Sequence, residues 1–259
     1  MCYFFSAVVL KSGEIVYDIN TNSHEDLIES RNLEDNTIDP RELTFARVEI
    51  LPPQGDFFSE PDKWNLKIDE NITPVWFDDE IRKNCMELFA KEIYPKCIFI
   101  DKKNLEFRNR NNLFFKNCKA RLYNNSSAKL YDNSLANLHD NSLAKLYGNS
   151  SANLYDNSLA NLYHKSSANL YGKSLANLYN YSLANLYDES SANLYDKSLA
   201  NLYGKSLANL YNYSLANLYG KSSAINYSKY TKFKIVDDLS VVIDRTTTDK
   251  VKIFKKESL

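Results

Sequence analysis

Apolar and polar positions in the second half of the chain repeat every eight residues. From residue 120 to residue 223 the sequence consists of thirteen consecutive units without a gap, and residues 152–159, Ala-Asn-Leu-Tyr-Asp-Asn-Ser-Leu, are typical of them. Position one is Ala, position three is Leu and position seven is Ser in every unit, whereas position four is Tyr in twelve units and His139 in the other. Less regular units precede and follow the array. Such regularity predicts a solenoid, in which each repeat packs on its neighbours.

The pattern inside each unit predicts a β-strand followed by a corner. The segment Ser-Leu-Ala-Asn-Leu-Tyr alternates with period two, and positions five and six mostly carry Asp, Asn, Gly or Lys. Because Ser, Ala and Leu of one parity never vary, we predict that they point inward and that Asn, Tyr and the Leu or Ser of position eight point outward. Each inward Ser hydroxyl then needs a partner, either a corner carbonyl or the next Ser.

The sequence leaves two coil sizes open, one with two strands and 16 residues and one with three strands and 24 residues. Residues 172–187 recur identically as residues 204–219, an offset of 32 residues. Since 32 is a multiple of 16 and not of 24, the two-stranded coil is favoured. The strands of successive coils should then lie about 4.8 Å apart along the solenoid axis.

The first 103 residues lack the repeat and predict a compact α+β domain. Predicted strands cover residues 3–10, 15–17, 43–51, 64–68 and 97–100. Ser23 followed by Asp26 predicts the capped start of a short helix. Asp78 predicts the start of an amphipathic helix that ends before Pro95. Its apolar face would contain Ile81, Cys85, Leu88, Phe89 and Ile93.

Three apolar strand-like segments follow the array and predict a cap for its last coil. They lie within residues 231–254, and lysines follow them as edge protection. The predicted organisation is therefore an acidic α+β domain at 1–103, an octapeptide-repeat β-solenoid at 104–230, and a β cap with a charged tail at 231–259.

Composition and charge change at the boundary between the first domain and the array. All six prolines lie in the first 95 residues, and 16 of the 19 tyrosines follow residue 120. Residues 1–103 carry 21 acidic and 12 basic side chains, while residues 104–259 carry 12 acidic and 20 basic ones. The net charge of −1 argues against a general polyanion binder.

The cysteines and the early apolar run bear on location. The four cysteines show no C-x-x-C spacing, so we expect free buried thiols in a reducing compartment and a cytoplasmic protein. The apolar run at residues 3–10 is too short to cross a bilayer, and no basic segment precedes it. A membrane span and a secretory signal are therefore not expected.

Weak candidates for catalysis lie in the first domain. Cys2 would become an N-terminal nucleophile if the initiator Met were removed, but bulky Tyr3 and Phe4 follow it and no oxyanion motif is present. The interpretation we favour is a free thiol on a strand. The alternative function is an enzyme with its site in this domain and the solenoid as spacer or oligomeriser.

Two further groups of polar residues have simple structural explanations. His24 and the acids that follow it could bind a metal, yet neighbouring residues on a helix face different directions, which favours a solvated first turn. Asp78, Asp79 and Glu80 could form an acid pair, but the helix dipole favours acids in a first turn. The sequence predicts no metal site and no cofactor.

The outward tyrosines form the candidate binding face. In register they would stack into a ladder that stabilises the solenoid or offers an aromatic wall for self-association or a protein partner. Stacking of nucleic-acid bases or sugars beside the corner lysines Lys165, Lys173, Lys197, Lys205 and Lys221 is a less favoured alternative, because these lysines form no dense patch. Ice or mineral binding ranks last, since flat Thr rows are missing. The tyrosines of the predicted face are Tyr131, Tyr147, Tyr155, Tyr163, Tyr171, Tyr179, Tyr187, Tyr195, Tyr203, Tyr211 and Tyr219.

Two family resemblances accompany these patterns. The string Ala-Asn-Leu resembles the core of pentapeptide-repeat proteins, although a period of eight replaces their period of five. More of the chain resembles a group of bacterial and phage octapeptide-repeat proteins, through Phe45-Ala-Arg-Val-Glu-Ile, Trp64-Asn-Leu-Lys-Ile-Asp-Glu, Pro74-Val-Trp-Phe and the Asn-Ser of the repeats. This resemblance implies an acidic N-terminal domain joined to a repeat array, and no particular activity. The sequence therefore predicts a non-enzymatic β-solenoid scaffold for protein interaction or self-assembly.

Overall fold

The structure is a computed structural model that describes residues 5–34, 39–247 and 250–256. The chain forms two compact units. Unit 1 contains Met1–Phe99 and Asn111–Phe114, and unit 2 contains Ile100–Arg110 and Phe115–Leu259. Cys2 and the first two residues of the predicted opening strand lie outside the described residues.

Unit 1 is built on a four-stranded antiparallel sheet with the order β2-β1-β3-β4. The first two strands form the predicted hairpin, in which the N–H of Gly13 donates to the Leu10 carbonyl at 2.8 Å and glycine provides the required φ of +88°. Val8, Val16, Leu27 and Phe45 form a buried cluster beneath α1. The elements are β1 Phe5–Leu10, β2 Ile15–Val16, α1 His24–Ser30, β3 Phe45–Leu51, β4 Asn65–Ile68, α2 Asp79–Leu88, α3 Tyr94–Cys97 and β5 Ile98–Ile100, with 3₁₀ turns at Pro53–Gly55 and Pro61–Lys63.

Both predicted helix caps are confirmed, and one predicted helix end is wrong. The Ser23 hydroxyl accepts the Asp26 N–H at 3.1 Å, and the Asp78 carboxylate accepts the Ile81 N–H at 2.9 Å. The second helix does not stop before Pro95, because a π-helical turn at Phe89–Ile93 carries the helical backbone into α3. Pro95 lies in the first turn of α3, where the N–H that proline lacks has no intrahelical partner to lose.

Unit 2 is a β-solenoid of about nine coils with parallel strands and 16 residues per coil, which confirms the two-stranded coil. Sheet 1 has the order β22-β20-β18-β16-β14-β12-β10-β8-β6, and sheet 2 contains β24, β23 and the odd-numbered strands from β21 down to β9. Leu135 pairs with Ser151 and Leu159 with Leu175, each 16 residues apart. The remaining strands are β6 Leu105–Arg108, β7 Leu113–Lys116, β8 Lys119–Tyr123, β9 Ser127–Tyr131, β10 Leu135–Leu138, β11 Leu143–Leu146, β12 Ser151–Leu154, β13 Leu159–Leu162, β14 Ser167–Leu170, β15 Leu175–Leu178, β16 Leu183–Leu186, β17 Ser191–Leu194, β18 Leu199–Leu202, β19 Leu207–Leu210, β20 Leu215–Leu218, β21 Ser223–Asn226, β22 Lys232–Ile235, β23 Val241–Asp244 and β24 Lys252–Phe254.

The interior of the solenoid consists of the invariant Ser, Ala and Leu positions, as the alternation predicts. The array residues Leu154, Ala160 and Ser158 are completely buried, and the same positions of the other units are buried as well. Six of the inward Ser hydroxyls donate to the carbonyl of the Tyr three residues earlier at 2.6–2.9 Å, which confirms the corner carbonyl as a partner. Four others, Ser182, Ser198, Ser206 and Ser214, have no hydrogen-bond partner.

Each corner is turned by a left-handed residue at position five. Asp156 has a φ of +61° and Gly172 one of +65°, and Asn, Asp and Gly tolerate this region best. His164 adopts the same conformation with a φ of +59°. The corner chemistry of the sequence therefore has a backbone cause.

The last strands close the array with a change of spacing. β22 pairs with β20 at an offset of 17 residues and β23 with β21 at 18, as in Leu215 with Lys232 and Ser223 with Val241. β24 then pairs antiparallel with β23. The chain thus ends its parallel array with the predicted β cap.

Candidate binding faces of the solenoid

Each sheet presents one regular outer surface, which we call face 1 for sheet 1 and face 2 for sheet 2. Every coil adds one rung to each face, made of position eight (Leu or Ser), position two (mostly Asn) and position four (Tyr). In the central array these side chains are half-buried, since identical neighbours above and below cover part of each. The outward direction predicted for them is correct.

The tyrosines of both faces form continuous stacks. Neighbouring rings on face 1 lie 4.8–5.2 Å apart between centroids, and those on face 2 lie 4.9–5.1 Å apart. Tyr123 and His139 extend the face 1 stack, and Tyr227 extends the face 2 stack. These three were missing from the predicted face, although each holds position four of a unit. Burial, and secondly the neighbouring Tyr147, raise the pKa of Tyr131.

An asparagine ladder runs beside each tyrosine stack. On face 1 the Asn153 amide donates to Asn137 at 2.9 Å, and the same bond continues to Asn217 at 2.9–3.0 Å. On face 2 it runs from Asn161 to Asn209 at 2.8–2.9 Å. Each amide inside a ladder uses one donor and one acceptor in this way, so one N–H and further acceptor capacity stay available on every rung.

Charge distinguishes the two faces. Face 1 carries no charged residue on the six rungs from β10 to β20. On face 2, Lys129 and Lys145 replace Asn on adjacent rungs and pair directly in register. Burial, and secondly the ammonium of Lys145, lower the pKa of Lys129. Like charges at directly opposite positions destabilise a strand pair, so this end of face 2 is unfavourable for apolar contact.

The two corners of the coil differ as well. Corner A follows the strands of sheet 1, and there Lys205 pairs with Glu189 at 3.7 Å. Beside them is a shallow recess of about 490 Å³, lined by Gly172, Lys173, Asp188, Glu189, Gly204 and Lys205. Corner B follows the strands of sheet 2 and carries lysines and tyrosines, among them Tyr181, whose hydroxyl lies 3.2 Å from the Lys197 ammonium.

The catalytic candidates of the first domain occupy separate environments. His24 is 2% exposed, so the expectation that its turn is solvated is wrong for this residue. Its ring nitrogens lie 3.0 Å from the Val48 carbonyl of β3 and 3.7 Å from the Asp69 carboxylate, which satisfies a polar ring in an apolar setting. Glu25 and Asp26 face solvent instead.

The acidic candidates of α2 serve the helix start. The Asp78 carboxylate is a cap, and Asp79 and Glu80 are exposed in the first turn, where the dipole favours them. A recess of about 570 Å³ in unit 1 is lined by other residues: Val16, Tyr17, Asp18, Ile19, Thr21, Asp26, Leu27, Ser30, Arg31 and Lys96. The recess therefore does not bring His24 and the α2 acids together.

The thiols and the metal-binding residue types were searched over the part of the chain that the structure describes. Cys85, Cys97 and Cys118 are free and buried, as predicted, and burial raises the pKa of Cys85 to about 11. Within residues 5–34, 39–247 and 250–256, no group of three or more His, Cys, Asp or Glu side chains is placed to hold a metal. No helix in these ranges is long and apolar enough to cross a membrane.

Comparison with known proteins adds no family to these observations. No protein family matches the chain, and no curated protein or solved structure is significantly similar to it.

Proposed function

We propose that this protein is a β-solenoid scaffold that self-associates through face 1, with face 1 of a second copy as the partner. The observation that carries the proposal is the uninterrupted neutral surface of Leu, Asn and Tyr from β10 to β20. Leu183, Leu199 and Leu215 form three consecutive rungs of its apolar column. Contiguous apolar surface of this size on a protein is typical of an interaction site.

The dimensions of face 1 suit a small specific interface. Five residues across each rung give about 17 Å, and six rungs give about 29 Å, or roughly 500 Å² of flat area. Two copies would bury at least about 1,000 Å² in total, which is near the lower limit for a specific protein interface. We therefore expect a reversible dimer of moderate affinity.

A second copy matches this face better than an unrelated protein, because its rungs have the same spacing. A twofold axis parallel to the solenoid axis would place the Asn column of one copy opposite the Asn column of the other. The same axis would place position eight of each rung opposite position four of its partner rung, so that Leu faces Tyr. The remaining amide groups of the ladders could then pair across the interface.

The two faces provide a matched test. Leu199→Glu places a carboxylate in the centre of face 1, and Leu207→Glu makes the same change at the same repeat position on face 2. Burying an unpaired carboxylate costs at least about 3 kcal/mol, so Leu199→Glu should weaken association about 100-fold or more. Sedimentation equilibrium over micromolar concentrations of the full chain should show dimers for the wild type and for Leu207→Glu, and monomers for Leu199→Glu.

Crosslinking tests the proposed twofold axis. Asn201→Cys on face 1 should crosslink between copies with a short bis-maleimide, whereas Asn209→Cys on face 2 should not. The buried native thiols should react poorly in both variants. A monomeric wild type, or equal behaviour of the two faces in either experiment, would contradict the proposal.

A further inference from the structure

Corner B carries a column in which lysine and tyrosine alternate. At position six of successive coils the residues are Lys165, Tyr181, Lys197, Tyr213 and Lys229. Adjacent members are one coil apart, so neighbouring lysines or neighbouring tyrosines are separated by about 9.6 Å and the whole column extends for about 19 Å. We call these five residues the corner B column.

The aromatic members of the column are unusually exposed for this protein. Tyr181 is 63% exposed and Tyr213 is 59% exposed, whereas the tyrosines of the central face stacks are half-buried. Tyr213 stacks on Tyr230 at 5.0 Å between ring centroids, which holds its ring at the corner. An exposed, oriented tyrosine offers a rigid contact surface at low entropic cost.

The cationic members are exposed and engaged with tyrosine. The Lys197 ammonium lies 5.4 Å from the Tyr181 ring centroid and 3.2 Å from its hydroxyl, and the Lys229 ammonium lies 5.1 Å from the Tyr230 ring centroid. Among the described residues, Lys165, Lys197 and Lys229 form no ion pair. At corner A, by contrast, Lys205 pairs with Glu189. Corner B therefore presents cations that an anionic ligand can reach without displacing a carboxylate.

We propose that the corner B column binds a linear polysaccharide with one carboxylate per disaccharide. A pyranose linked through opposite ring carbons advances its chain by roughly 5 Å, since the ring spans about 3 Å and two bonds of about 1.5 Å flank it. Two sugars therefore cover the same length as two coils. Carboxylates on alternate sugars would meet the lysines, and the sugars between them would pack on the tyrosines.

The charge density of the column favours this ligand over a single-stranded nucleic acid. The column has one cation per about 9.6 Å, whereas nucleic-acid strands carry a phosphate at every nucleotide and their binding grooves are correspondingly basic. The overall net charge of −1 also gives no long-range attraction for a dense polyanion.

Binding would exchange one contact of Lys197 for another. In the free protein its ammonium lies against Tyr181, and in the complex it would turn to a sugar carboxylate in a charge-assisted hydrogen bond. The ring of Tyr181 would then be available to the neighbouring sugar. This inference does not depend on association through face 1, because the column lies at a corner.

The test uses the full chain and a fluorescently labelled octasaccharide of alternating glucuronate and N-acetylglucosamine. Lys165→Gln/Lys197→Gln/Lys229→Gln removes the cations of the column, and the matched control, with the same change of charge, alters the corner A lysines Lys173→Gln/Lys205→Gln/Lys221→Gln. Three exposed ion pairs of ordinary strength correspond to about a ten- to hundredfold change in Kd, so the first variant should weaken binding by that factor and the control by less than about twofold.

A second pair of variants tests the rings. Tyr181→Ser/Tyr213→Ser should weaken binding about fivefold, whereas Tyr181→Phe/Tyr213→Phe, which keeps the rings, should bind like the wild type. Circular dichroism should be unchanged throughout, because all of these side chains are exposed.

Four outcomes would overturn the proposal. They are no binding of the octasaccharide, equal binding of a neutral cello-oligosaccharide of the same length, tighter binding of an oligothymidylate, and equal weakening by the corner A control. The third would assign the column to nucleic acid, and the last would reduce the effect to net charge.

Discussion

The opposite environments of two leucines in one strand allow a direct test of the inward and outward parity. In β19, Leu210 at position three is completely buried, while Leu207 at position eight is half-buried on face 2. Leu210→Ala removes the equivalent of about three methylene groups at about 0.8 kcal/mol each, or about 2.4 kcal/mol. The cavity that remains raises the expected loss to about 3 kcal/mol, within the usual range for buried leucine. Leu207→Ala should cost less than about 1 kcal/mol.

Urea unfolding followed by far-ultraviolet circular dichroism measures the difference. Both tryptophans, Trp64 and Trp76, lie in unit 1, so their fluorescence reports that unit separately and should shift little. Leu210→Met, which nearly conserves volume, should cost less than about 1.5 kcal/mol and serves as the control for the cavity. Equal losses for Leu207→Ala and Leu210→Ala, or a larger loss for Leu207→Ala, would refute the assigned parity.

Other predictions concern the interior, the corners and the stacks. Ser158→Ala, which deletes a 2.7 Å hydrogen bond to a corner carbonyl, should cost about 1 kcal/mol, whereas Ser206→Ala should be neutral or stabilising in thermal melts because that hydroxyl has no partner. Gly204→Ala should cost about 1–2 kcal/mol, since φ is +68° and a Cβ would lie 3.2 Å from the Asp188 nitrogen; Gly204→Asn should lose less of that stability to φ. The pKa of Tyr131 is raised, so the unfolded state releases its proton first as pH rises past 10. Stability should therefore fall above pH 10, and Tyr131→Phe should reduce that fall in pH-dependent urea titrations.

The sequence predicts the solenoid well because its repeat is local. Alternation within eight residues distinguishes the inward Ala, Leu and Ser from the outward side chains, and the polar pair between strands marks each corner. Helix starts in unit 1 are equally local, since Ser23 and Asp78 each cap an N–H three residues later. These features depend on neighbours in the chain, which the sequence shows directly.

Burial in unit 1 is less predictable. His24 lies one residue from a cap, yet its ring is buried against the Val48 carbonyl of another element. Pro95 lies inside a continuous helical path because a π-helical turn precedes it. Both results depend on packing between segments that are distant in sequence.

By itself the sequence determined that the second half of the chain is a β array with an apolar interior and an outward column of tyrosines. Only the tertiary structure decided which outward residues meet. A coil of 24 residues would place Lys165 next to Glu189, whereas the observed 16-residue spacing places Lys165, Tyr181 and Lys197 on consecutive rungs. The same spacing separates the neutral face 1 from the lysine-bearing end of face 2. The physical reason is that lateral neighbours in a solenoid are set by the length of the coil, and an eight-residue repeat is compatible with more than one length.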